Sequence, residues 1–66
     1  MNNMPIIFKG SRGKAVEVWQ VILNLEPTGY FDDLTMQATE EFQKEHNLVV
    51  DGIVEKFTWA LGLGTL

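Results

Sequence analysis

Residues 15–38 recur as residues 38–61, displaced by 23 positions. Seven pairs are identical at that offset: Ala15/Ala38, Glu17/Glu40, Gln20/Gln43, Asn24/Asn47, Leu25/Leu48, Gly29/Gly52 and Thr35/Thr58. Trp19/Phe42, Phe31/Val54, Asp32/Glu55 and Leu34/Phe57 match in kind. Both copies follow one plan. A short helix carries an aromatic-Gln pair, an Asn-Leu turn follows, then a Gly-containing loop, and Thr opens the next helix. Two copies cannot stack as a solenoid, which takes at least three repeats. They can close on each other as one compact domain with internal pseudo-two-fold symmetry.

The pattern between the repeats predicts three helices. Gly10-Ser11-Arg12-Gly13 reads as a turn with Ser11 as N-cap. A first helix then runs from about Lys14 to Asn24, burying Ala15, Val16, Trp19 and Leu23 at helical spacing. Glu26-Pro27-Thr28-Gly29 is a loop. Asp32 caps a second helix reaching Glu45 or His46, with Leu34, Ala38, Thr39 and Phe42 on its inner side and Glu40, Glu41, Lys44 and Glu45 outside. Asn47 suits the left-handed position that closes a helix. Val49–Val54 is extended around an Asp51-Gly52 turn. A third helix spans about Lys56 to Leu61 and is ended by Gly62 and Gly64. Met1–Asn3 are expected to be loose. Pro5–Phe8 is expected to be extended, with Ile6 or Phe8 tucked into the core. The fold class is therefore all-α: a single domain over residues 1–66, its core about 8–61.

Charge and residue types exclude much. A net charge of −4 and five scattered basic residues give no face for phosphate neutralisation, so nucleic acid is not a partner. No stretch approaches the ~20 apolar residues of a membrane span, and Ile6-Ile7-Phe8 is too short for a signal-peptide core. There is no cysteine, and His46 is the only histidine, so no metal site or cofactor is expected. Nucleophilic catalysis lacks its parts: Ser11 is the only serine and no base accompanies it. The acidic pairs Asp32-Asp33 and Glu40-Glu41 are adjacent in sequence rather than opposed across a cleft, as glycoside hydrolysis would require.

Three segments in order carry a family likeness. They are Lys9–Gly13 with Val16, Trp19-Gln20 and Leu23-Asn24; then Gly29-Tyr30-Phe31 with Thr35, Ala38 and Phe42-Gln43; then Leu48–Val54 with Thr58-Trp59 and Leu61. Together they resemble the peptidoglycan-binding domain family, whose members show a Gly-Ser-x-Gly turn followed by Val-x-x-Leu-Gln-x-x-Leu. The resemblance spans about residues 8–61. It implies a three-helix, non-catalytic module that holds a wall-lytic enzyme on bacterial peptidoglycan. Such modules accompany amidases, muramidases and carboxypeptidases, phage endolysins among them. The chain departs from the family pattern at Asp32 and Glu55, where Gly is usual, at Asp33 and Lys56, where Pro often follows, and at Thr28, where the first loop usually has Asp. With no leader in view, the chain is expected to be made in the cytoplasm and to act at the wall when released or fused.

The expected ligand groove is flanked by Arg12, Tyr30 and Asp51. Arg12 suits a peptide-stem carboxylate, Tyr30 is the loop aromatic facing outward beside an inward Phe31, and Asp51 can accept from a ligand amine or brace its own turn. Gln20 and Gln43 can bind a stem through their amides or hold loop backbone. Trp19 and Trp59 are read as core. A reading from another class rests on Val18, Val21 and Ile22. These align with Glu41, Lys44 and Glu45, so by symmetry they form an exposed apolar stripe for self-association or a protein partner, unless the chain ends at 5–8 or 63–66 cover them.

Overall fold

The computed structural model describes residues 4–65; positions 1–3 and 66 lie outside the described residues, and with them the expectation for Met1–Asn3 and for the last residue of the tail. The chain forms α1 (Lys14–Ile22), α2 (Asp33–Glu45) and α3 (Lys56–Leu63). Among the described residues no sheet forms, but two isolated antiparallel bridges, Ile7 with Val54 and Arg12 with Tyr30, tie the first segment to the ends of both loops. The two ties are related by the repeat. Phe31 donates its N–H to the Ser11 carbonyl and accepts from Gly10, both at 2.9 Å, while Val54 and Ile7 exchange bonds of 2.8 and 3.1 Å.

The core is Ile7, Val16, Trp19, Phe31, Val54 and Trp59, each at most 4% exposed. Trp19 sits at its centre. Its ring meets Phe42 and Trp59 edge-to-face at centroid separations of 5.2 and 5.4 Å, a geometry the aromatic quadrupole favours. Its indole Nε1 donates to Thr39 Oγ1 at 2.9 Å, and that hydroxyl donates back to the Thr35 carbonyl. Trp59 Nε1 reaches the Pro5 carbonyl at 2.7 Å, which draws the N-terminal segment over the core. Both indole donors are thus satisfied inside, as burial requires.

Several boundaries differ from expectation. The extended alternation turns Ile7 inward, so Ile6 and Phe8 are the exposed pair. Gly13, not Ser11, precedes α1 without a side-chain cap; the Ser11 hydroxyl instead accepts from the Phe8 N–H. The helical run of α1 stops at Ile22, and Leu23 and Asn24 form its closing turn. Asn24 and Asn47 both take positive φ, 62° and 58°, and the next residue's N–H reaches back to the Gln20 or Gln43 carbonyl at 2.8 Å. In α2 the inner row is Thr35, Thr39 and Gln43, while Leu34 faces solvent. Gly62 does not end α3. It lies within it, buried, because the Trp19 ring packs directly on its backbone.

Candidate functional site

Each repeat places a loop on a buried glutamine. Gln20 and Gln43 are both 1% exposed. Gln20 Nε2 donates to the Tyr30 carbonyl at 2.9 Å and to the hydroxyls of Thr35 and Thr28 at 3.0 and 3.2 Å, while its Oε1 accepts from the Gly29 N–H at 3.0 Å. Gln43 repeats this with the Ile53 carbonyl at 2.9 Å, Asp51 Oδ1 at 3.1 Å, Thr58 Oγ1 at 3.3 Å and the Gly52 N–H at 3.0 Å. Both amides are fully engaged within the fold. Of the two roles the sequence leaves open for them, these bonds supply the bracing one: an amide whose donors and acceptor are satisfied in the interior holds the loop.

Thr28 stands where Asp51 stands in the other copy, and the two do one job. The Thr28 hydroxyl accepts from Gln20 and from the Tyr30 N–H at 3.2 Å; Asp51 Oδ1 accepts from Gln43 and from the Ile53 N–H at 2.9 Å. Gly29 and Gly52 hold φ of 82° and 73° at the turn between, where a side chain would be strained. The replacement of Asp by Thr in the first loop thus leaves the loop geometry intact.

The caps that follow the loops differ. Asp32 Oδ1 accepts from the Thr35 N–H at 2.9 Å and from its hydroxyl at 2.8 Å. These bonds stabilise the charged carboxylate and hold Asp32 below its ordinary pKa. Glu55, one methylene longer, occupies the same position before α3 but makes no side-chain cap bond. Its carboxylate is left to the surface beside the second loop.

That loop forms one wall of a cleft of about 260 Å³. Its lining includes the buried Gln43 and Thr58, the half-buried Leu48, the exposed Val49 and Phe57, and two exposed carboxylates, Asp51 and Glu55. Val49 is 78% exposed and Phe57 69%, although both are apolar. Among the described residues no basic side chain lines the cleft. Lys56 Nζ lies 6.0 Å from the Phe57 ring centroid.

The expected groove residues are brought together only in part. Arg12 and Tyr30 meet: their backbones bridge, and the guanidinium sits 4.3 Å from the phenol ring centroid, a cation–π contact. Tyr30 is outward and Phe31 fully buried. Asp51 belongs instead to the second-repeat cleft, which neither Arg12 nor Tyr30 lines. Val49 and Phe57 were missed by reasoning from sequence. The repeat alignment held the signal, because Val49 falls where the first copy has a solvated Glu26.

The Val18/Val21/Ile22 stripe needs correction. Val18 and Ile22 are half-buried and pack against the core; only Val21, 52% exposed, is open. The aligned α2 residues Glu41, Lys44 and Glu45 are all exposed, so the symmetry does not extend to Val18 and Ile22; Met4 and Leu63 also pack against the core. On the surface Lys9 pairs with Asp33 at 2.6 Å, which raises the Lys9 pKa, but both side chains are exposed and such pairs contribute little. His46 stacks on Phe42 and its Nδ1 lies 2.8 Å from the Phe42 carbonyl. Among the described residues no three His, Cys, Asp or Glu side chains gather to hold a metal ion, and no helix is long and apolar enough to cross a membrane.

A family model described as "Putative peptidoglycan binding domain" matches residues 13–61. Among solved structures, the chain is similar to the crystal structure of the SleB N-terminal domain, with a TM-score of 0.90 and 24% identity over 98% of this chain and 97% of that one. At that identity the likeness establishes the fold.

Proposed function

This chain belongs to the peptidoglycan-binding domain family, and we propose that it is a non-catalytic module that binds bacterial peptidoglycan and brings a wall-lytic activity to it. The observation that carries the reading is the second-repeat cleft. Two exposed apolar side chains, Val49 and Phe57, share its lining with Asp51, whose loop is hydrogen-bonded by Gln43. Binding sites of small ligands are built this way, from apolar walls with a few fixed polar groups. Asp51 is the polar contact of the cleft. The pre-stacked Arg12–Tyr30 pair is a second contact point, at the matching corner of the first repeat, where Tyr30 stands for Ile53. A lytic partner, fused or separate, supplies the chemistry this domain lacks.

Co-sedimentation of the purified domain with washed, insoluble sacculi tests the reading. Binding that persists at moderate salt, and that weakens in Phe57→Ser and Tyr30→Ala, supports it. Failure to sediment with sacculi of several chemotypes refutes it.

A further inference from the structure

The composition of the cleft narrows its ligand, given the wall-binding reading above on which this inference rests. We infer that the cleft takes the aliphatic side chain and free ammonium of a diamino acid in a peptide stem of the wall. The walls are apolar and extended: Val49 and Phe57 offer a surface for methylene groups. The charge of the lining is negative: Asp51 and Glu55 line the cleft, and among the described residues no Lys or Arg does. Lys56 is not among the lining residues; its Nζ lies 6.0 Å from the Phe57 ring centroid, at the outer limit of a cation–π contact.

The negative charge is a property of the second repeat, and its origin is local. In the first repeat the acid before the helix is occupied as a cap, with Asp32 bound to Thr35. In the second, Glu55 has no cap bond, and Asp51 replaces the neutral Thr28. One oxygen of Asp51 holds Gln43 and the Ile53 N–H. Among the described residues no hydrogen bond engages the other. An ammonium carried on a methylene chain complements this arrangement, the chain lying on the apolar walls and the charge between the two carboxylates. A sugar amine is set on a ring among hydroxyls and has no aliphatic chain to lay against Val49 and Phe57.

The test compares native sacculi that retain uncrosslinked stem amines with the same sacculi N-acetylated by acetic anhydride. Wild-type protein should bind the acetylated wall several-fold more weakly, each exposed ion pair accounting for up to about five-fold. Glu55→Gln and Asp51→Asn should each weaken binding to native sacculi, and the double variant should no longer distinguish the two walls. Glu55 makes no internal cap bond and Asn retains the Oδ1 acceptor at 51, so both variants should fold, as circular dichroism would verify. Competition by a free-amine Ala-γ-Glu-Lys tripeptide, but not by its Nε-acetyl form, supports the inference. Equal binding to both walls overturns it and leaves the wall-binding reading standing. Competition by glucosamine oligomers in place of the tripeptide overturns it as well. Absence of binding to either wall removes both.

Discussion

Gly62→Ala sets two known effects against each other. In an unobstructed helix the change is favourable by about 1 kcal/mol, because glycine is a poor helix former. Here the new Cβ would fall well inside contact distance of Trp19 Cζ3 and 3.1 Å from Cη2. Whether the ring can yield decides the sign. It is 0% exposed, its Nε1 is bonded to Thr39, and Phe42 and Trp59 lie against it. A ring held on these sides cannot move without breaking another contact, so the upper part of the usual ~1–3 kcal/mol cost of overpacking applies. The net expectation is a loss of about 1–2 kcal/mol, or a fall in Tm of roughly 5–15 °C for a domain of this size. Urea unfolding followed by far-UV circular dichroism measures it. In a Trp19→Phe background the smaller ring leaves room, and the same Gly62→Ala change should become neutral or favourable, a coupling of about 1–3 kcal/mol. A Gly62→Ala variant as stable as wild type would refute the packing argument.

Other outcomes follow from the same geometry. Gln43→Leu preserves volume but strands the Gly52 and Asp51 N–H groups and the Ile53 carbonyl, so it should cost about 3 kcal/mol at ~1 kcal/mol per bond; Gln20→Leu should fall within ~1 kcal/mol of it by chemical denaturation if the two loops are equivalent. Asn47→Gly should be neutral within about 0.5 kcal/mol while Asn47→Ala costs about 1 kcal/mol, because the position needs positive φ. Asp32 has a folded-state pKa below its unfolded value, so its contribution is full at neutral pH and declines as pH falls through and below the ordinary carboxylate range; Asp32→Asn should flatten the acid side of a stability–pH profile and leave the alkaline side unchanged. Phe57→Ser, at a 69% exposed site, should leave the unfolding midpoint unchanged, which separates binding loss from folding loss.

Much of this architecture was legible because the repeat is chemical rather than only statistical. The same Gln, Gly and Thr recur since each loop needs one amide clamp, one left-handed turn and one hydroxyl. Helix type and order, the inward Phe31, the buried tryptophans and the Asp32 cap all follow from local pattern. What sequence left hidden depends on contacts between distant segments. Nothing in Pro5–Phe8 announces that Ile7 will bridge to Val54, because alternation gives two faces and no direction. Gly62 reads as a helix stop until Trp19 is placed on it. Val18 and Ile22 read as open by symmetry with the polar face of α2, and their packing against the core is a tertiary contact that the repeat alignment does not encode. Of the candidate site, Asp51 was visible as a residue type, but its neighbours Val49 and Phe57 were not, since an exposed apolar residue is ordinary until several share one cleft.

The proposed wall-binding surface lies chiefly on the second repeat. The most direct measurement is a titration of the ¹⁵N-labelled domain with soluble muropeptides, following amide shifts residue by residue. Saturable shifts should be largest at residues 47–58, Asp51 and Phe57 among them, with smaller ones at Arg12 and Tyr30 and the core of α1 unmoved. Shifts gathered on α1 around Val21, or none at all with muropeptides of several chemotypes, would contradict this placement.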